Sequence, residues 1–261
     1  MKRWNVESQD LWLIFIPWHF PLHEDPSITG PSAKAETAFR KGYPAIYRHL
    51  LSFKAELSAR NPAETGVRYE WYALQRWASS YWQEFETPKI VYPDIYLHQS
   101  FAWDTKQHYL ANTCYFIPTT ERWLTALLNS SAVEWFYEQI AARIQGGYLR
   151  AFSDRMQAVP IPQSEPAQRS LIEALTTAAE AGTSRPEYER LLNGLVYELF
   201  FPEDLHAKNI RLFDACTAAG IRAGMDAQAM AAEIFHPRHL IYGQLFELQT
   251  IEVVRLIEGH D

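Results

Sequence analysis

Residues 40–76 carry Arg40, Lys41, Arg48, Lys54, Arg60, Arg68 and Arg76 against Glu56, Glu64 and Glu70. A local basic stretch interleaved with aromatics is what a phosphate-binding face needs. Surface helices also carry such charges without a polyanionic partner, and taken alone that is the commoner reading. The segment RYEWYALQRWASSYW is dense in Trp71, Tyr72, Trp77, Tyr81 and Trp82. Core packing explains at least half of these rings, whereas Arg68 and Arg76 are harder to place in a core. A second constellation is Gly146-Gly147 followed by Tyr148, Leu149 and Arg150. Paired glycines adopt left-handed conformations at no steric cost, so they could admit a nucleic-acid strand close to the backbone or simply make a turn. Without other evidence the turn is favoured.

Other chemistries are weaker. His19 and His23 have i, i+4 spacing, but prolines 21, 26 and 31 argue against the helix that would align them on a metal. His236 and His239 flank Pro237, which suits a helix start better than a metal site. Cys114 and Cys216 are too few for a disulfide framework, and Cys114 lies in an apolar run where a small buried thiol is expected.

The elements that position these residues follow from periodicity. Lys89–Tyr96, a run near Phe101–Trp103, and Tyr109–Ile117 read as strands, with Pro93 placing the first at a sheet edge or a bend. LWLIFI at 11–16 reads as a buried strand, 18–39 as an irregular connection, and 43–57 as a helix starting on Pro44. A short helix over 120–129 breaks at Asn129, recaps on the following serines and continues to Ile144, where the glycines end it. Beyond the AVPIP exit, helices are expected at about 165–181, 186–201, 203–219, 226–235 and 238–258. This predicts an α+β chain: a mixed, strand-rich domain over 1–162 and a helical C-terminal domain over 163–261.

The chain has 261 residues, 48% of them hydrophobic, enough for one large or two modest domains. Its net charge of −7 is uneven: residues 1–162 hold 16 basic and 16 acidic side chains, so the whole acidic excess falls in 163–261. The N-terminus lacks the apolar stretch of a signal peptide, and the run beginning at Leu11 is well short of the roughly 20 residues needed to cross a bilayer. A cytoplasmic protein is expected, with no membrane partner.

FETPKIVYPDIYLHQSFAWD, YLANTCYFIP and LTALLNSSAVEWFYEQIAARIQGGYLRAFSDRMQAVPIP together resemble the TaqI-like C-terminal specificity domain. That domain is the target recognition part of adenine-specific DNA methyltransferases in restriction-modification and related phage-defence systems of bacteria. GYPAIYRHL and RYEWYALQR extend the resemblance to roughly residues 10–162. Lys89, Asn112, Gly146, Gly147, Tyr148 and Arg150 sit on its motif positions. Candidates for contacts to phosphates and bases are Arg60, Arg68, Arg76, Lys89, Arg143 and Arg150, since an arginine can bind guanine O6 and N7 with two hydrogen bonds. Tyr69, Tyr72, Asn112 and Tyr148 are further candidates, Asn112 because its amide can pair with adenine.

Full-length members carry a Gly-rich S-adenosylmethionine loop and an Asn-Pro-Pro-aromatic motif. Here no G-x-G occurs, and the single Asn-Pro, Asn61-Pro62, is followed by Ala63 and Glu64. Pro93-Asp94 opens a nuclease-like pattern with no Glu-x-Lys after it. The expectation is therefore a double-stranded DNA recognition module without catalytic residues, metal or cofactor of its own, serving a methyltransferase domain or subunit that binds S-adenosylmethionine. The alternative is a protein-interaction or DNA-mimic regulatory module of such a system.

Overall fold

A computed structural model describes residues 2–8, 10–182 and 184–259; the chain divides into two units, Gln9–Phe85 and Met1–Ser8 with Glu86–Asp261.

The smaller unit wraps short helices around aromatic rings. Ser32 caps α1 (Ala33–Gly42) by accepting the Ala35 N–H at 3.1 Å, and α2 (Pro44–Leu51) begins on the proline whose ring presets a helical φ. The chain then passes through Ser52 and Phe53 into α3 (Lys54–Ala59), so the helix expected over 43–57 is divided in two. α1 corrects the reading of 18–39 as wholly irregular: the three prolines all precede its cap. Ile16, Phe39, Tyr69, Trp71, Tyr72 and Ala73 form the core. Glu70 is buried among them and accepts from the His19 N–H at 2.8 Å and the Ser32 N–H at 2.9 Å, with His19 Nδ1 at 3.1 Å. His19 is thus held by a carboxylate.

LWLIFI departs from expectation. Leu11, Trp12, Leu13 and Ile14 are exposed and form no strand; only Ile16 is buried. Among its described residues this unit has no sheet for the run to join, and an apolar run states a preference for burial without supplying the partner.

In the larger unit, β1 (Lys89–Pro93) is the centre of an antiparallel sheet between β3 (Ala102–Asp104) and β4 (Cys114–Pro118). Val91 faces Ala102 on one side and Phe116 on the other. The chain bends at Pro93, the end of β1, where a missing ladder donor does least damage. β2 (Ile95–Tyr96) therefore joins a second sheet, in order β2-β6-β5, with β5 at Ala142–Arg143 and β6 at Leu149–Arg150. The strand expected over 109–117 covers only the later part of that run.

Two helices bridge the sheets in sequence, α4 (Trp123–Leu128) and α5 (Ser131–Ile140). Ser130 Oγ recaps the chain by accepting the Val133 N–H at 3.3 Å. α5 ends at Ile140 rather than continuing to Ile144, because Ala142 and Arg143 pair with β6 and the glycines turn a hairpin instead of closing a helix.

After α6 (Ser153–Met156) come α7 (Pro166–Glu180), α8 (Arg185–Phe200), α9 (Pro202–Ala207), α10 (Leu212–Ala218), α11 (Ala227–Ile234), α12 (Leu240–Glu247) and α13 (Glu252–Glu258). The helices expected over 203–219 and 238–258 are each interrupted. One apolar core runs from Ile90 and Phe101 through Leu127, Leu175 and Leu195 to Val254. α7 packs on both α4 and α8, within the larger unit. Gly194 permits the closest approach in this bundle: a Cβ there would lie 2.6 Å from Leu212 Cδ1. The fold is α+β, with more helix than strand. Among the described residues no helix is long and apolar enough to cross a membrane.

Candidate nucleic-acid interface

Asp94 joins the two sheets of the larger unit. Its N–H donates to Thr113 O at 2.9 Å, and its own carbonyl accepts the Ala151 N–H at 2.8 Å. Its carboxylate receives Arg150 Nη2 at 3.0 and 3.3 Å, a charge-assisted contact. The guanidinium also lies over the Phe152 ring, 4.8 Å from its centroid, and Arg150 Nε is enclosed without a partner. On the backbone side, Tyr137 Oη donates to Arg150 O at 2.9 Å, fixing β6 to α5. A cleft lined by Pro93, Asp94, Ile95, Thr113 and Cys114 runs beside this pair. Asn112, exposed in the turn before β4, adjoins it through Thr113.

The β5–β6 hairpin continues the surface. Ile144 N–H donates to Tyr148 O at 2.8 Å and Gly147 N–H to Ile144 O at 3.2 Å, closing a turn in which Gly146 and Gly147 have φ of +84° and +80°. Only glycine enters that region without strain. Tyr148 is 42% exposed, and Ile95, Leu97, Ile144 and Phe152 are exposed as well. Arg143 is exposed on β5, with Glu138 Oε2 at 3.4 Å. This small sheet and the residues flanking its strands thus carry exposed Arg143, partly exposed Arg150, Tyr148 and several exposed apolar side chains.

A second basic cluster lies on the smaller unit. Glu64 receives Arg68 Nη1 and Arg76 Nη1, each at 3.1 Å, and Asn61 Nδ2 at 2.9 Å. The hydrogen bond from Arg76 holds its carboxyl below the usual carboxylate range, helped by the positive charge of both arginines. Both arginine side chains are more than half exposed, and Arg68 also lies over Trp18, 5.2 Å from the ring centroid. Arg60 differs: it donates to the backbone carbonyls of Leu57, Trp71 and Ala73 at 3.0, 3.0 and 2.7 Å. It ties α3 to the aromatic segment.

Three predicted contact residues are turned inward, which corrects their reading as surface groups. Tyr69 is fully buried, stacked on Trp18 at 4.8 Å with its hydroxyl 3.2 Å from Thr65 Oγ1. Tyr72 is buried against Phe39 and donates to Phe20 O at 3.1 Å; burial, then the nearby Glu70 charge, pushes its phenol up. Lys89 is fully buried, with its Nζ 2.7 Å from Asp104 Oδ2. His108 Nδ1 lies 2.8 Å from the other oxygen, and the Lys106 N–H donates to it at 2.9 Å. Burial alone would raise the Asp104 carboxyl, but these hydrogen bonds, Lys89's foremost, hold it below its ordinary value.

Asp94 and Glu64, the carboxylates that hold the exposed arginines, escape a reading by local spacing. Asp94 lies 56 positions from Arg150, and the one available signal, Pro93-Asp94, points to a different chemistry. Among the described residues no three His, Cys, Asp or Glu side chains come together to hold a metal. The Asn61-Pro62 turn does not fit a methyl-transfer site: Asn61 spends its amide on Glu64 and accepts the Ala63 N–H at 3.3 Å.

Residues 40–161 match the TaqI-like C-terminal specificity domain, inside the resemblance over 10–162. The chain is also 26% identical over 199 residues to the type II methyltransferase M.XhoI of Xanthomonas vasicola, covering 70% of this chain and 34% of that protein. It therefore spans about a third of the length of this curated relative. The β5–β6 hairpin, the Asp94–Arg150 pair and the Glu64 cluster all fall inside residues 40–161, the segment that is similar to the TaqI-like C-terminal specificity domain.

Proposed function

We propose that this chain recognises double-stranded DNA in a restriction-modification or related phage-defence system of bacteria, and directs an adenine-specific DNA methyltransferase to its site. The methyltransferase, with its S-adenosylmethionine, is a separate domain or subunit, and this chain supplies no catalytic group. The carrying observation is the hairpin within the matched segment, which carries Tyr148 and Arg150 on one side and Arg143, opposite Leu149, on the other. Arginine forks and a carboxamide are the side chains that read base edges in a major groove. Arg68 and Arg76 on the smaller unit supply phosphate contacts, which carry affinity without sequence information. The boundary proposed for the recognition function is residue 162; the helices beyond it complete the core.

Binding of the full chain to a randomised duplex pool, over a range of salt, tests this reading. The expected result is affinity that falls steeply with salt and enrichment of a defined sequence. Slower alkylation of Cys114, which lines the cleft, in the presence of the enriched duplex would place the DNA there. Absence of duplex binding even at low salt, alone and with the methyltransferase, would overturn the reading.

A protein-interaction role for the smaller unit is favoured by one observation: Leu11, Trp12, Leu13 and Ile14 are 81%, 91%, 53% and 40% exposed. Consecutive exposed apolar residues are a liability unless something covers them.

A further inference from the structure

We infer that Asp94 is a specificity-determining residue, whose carboxylate restrains Arg150 so that this arginine favours base edges over phosphates. The inference rests on the duplex-recognition reading and names the residue that sets its stringency.

An unpaired surface arginine adds affinity for any duplex, because a phosphate is within reach in every sequence. Arg150 is not in that state. Its Nη2 faces both Asp94 oxygens, at 3.0 and 3.3 Å, and its guanidinium carbon lies 4.8 Å from the Phe152 ring centroid. The restraint is firm because Asp94 cannot easily move away. Its N–H and its carbonyl are fixed to Thr113 and Ala151, which flank strands of different sheets, and its side chain is only 17% exposed. The arginine side chain is nevertheless 32% exposed, beside the Asp94–Thr113 cleft. With Nη2 engaged and Nε enclosed, the Nη1 donors of its fork remain to offer.

Two ligands would meet this pair differently. A phosphate approaching Arg150 brings its negative charge close to the Asp94 carboxylate, and that repulsion offsets much of the attraction. A guanine edge offers two neutral acceptors, so it is not repelled and can use the remaining donors. Discrimination of this kind comes from a penalty on the wrong ligand as well as a reward for the right one.

The simpler account makes Asp94 a backbone joint alone. Asp94→Asn separates the two, since it keeps shape and backbone bonds and removes the charge. The full chain and its D94N, R150A and D94N/R150A variants would each be measured against a random-sequence duplex and a randomised library. D94N is expected to bind the random duplex about three- to tenfold tighter, with a salt dependence steeper by about one phosphate contact and weaker library enrichment. The gain should vanish in D94N/R150A. Loss of a carboxylate alone favours any duplex, so the dependence of the gain on Arg150, with the fold checked by thermal unfolding, is the diagnostic result. If D94N does not fold, Asp94→Ser is measured in the same way, and failure of both to fold assigns the carboxylate to stability and overturns the inference. Enrichment by the wild type together with unchanged or weaker random-duplex binding by D94N also overturns it, while leaving the recognition reading intact. A wild type that binds no duplex removes that reading itself.

Discussion

Asn129 satisfies both backbone polar atoms of Phe101: its Oδ1 accepts the Phe101 N–H at 2.9 Å and its Nδ2 donates to the Phe101 carbonyl at 2.8 Å, with both residues fully buried. The break between α4 and α5 is thereby bonded to the entry of β3, joining two of the sequence motifs. Asn129→Ala would leave the buried Phe101 N–H unmet, at about 1–3 kcal/mol, whereas the Phe101 carbonyl keeps the Trp4 N–H at 3.1 Å. A drop of that size in the free energy of denaturant unfolding, with no change of charge, is the expected outcome.

Lys89 and Asp104 predict a pH effect as well as a mutational one. Removing one member of a buried pair strands the other, so Lys89→Met should cost about 3–5 kcal/mol. Because the folded Asp104 carboxyl titrates below its unfolded value of about 3.9, its contribution is fully present above that pH. It is lost as pH falls through the lower, folded value. Stability of the wild type should therefore fall below about pH 4, and Asp104→Asn should flatten that acid limb in a urea–pH series.

The hairpin tip distinguishes its two glycines. A Cβ on Gly146 would lie 3.3 Å from both Cδ2 and Cε2 of Tyr148, whereas on Gly147 the nearest atom is Leu97 Cδ1 at 4.0 Å. Alanine at either position meets a left-handed backbone, at about 1–2 kcal/mol. Gly146→Ala should also displace the tyrosine ring, and so weaken duplex binding more than Gly147→Ala at similar thermal stability.

The arginines should sort by what they hold. Arg60→Ala removes donors from three carbonyls and is expected to lower stability by about 1–3 kcal/mol with little direct effect on duplex affinity. Arg68→Ala and Arg76→Ala, at exposed pairs, should change stability by less than about 0.5 kcal/mol and reduce the salt slope of binding. Arg150→Ala should cost about 1–3 kcal/mol against the preferred sequence. Parallel unfolding and salt-titrated binding measurements check all four variants.

Cys216 provides an internal control for the Cys114 labelling experiment. Burial, and then the Glu198 charge, pushes its thiol well above the ordinary value. With so little thiolate it should resist alkylation until the chain unfolds, leaving Cys114 as the thiol that reacts in the native state.

Local patterns in the chain are enough for the α+β class, the strand-forming centre near 89–117, the Ser130 recap and the helices after 165. These depend on alternation, helical spacing and capping, which act over a few residues. They also indicate a glycine turn beside Tyr148. What they could not determine was which cations stay at the surface and which carboxylate holds each one. Lys89 and Arg150 both lie in short strands, yet the register opposite Asp104 seals one inside, while the bend at Pro93 sets the other against Asp94 at a solvent-facing cleft. The same limit explains LWLIFI and the early end of α5: the first lacked a sheet to join, and the second gave its last residues to a strand formed later in the chain. Tertiary structure decided these points because burial and ion pairing depend on which distant segments meet, and a local pattern carries no record of its partner.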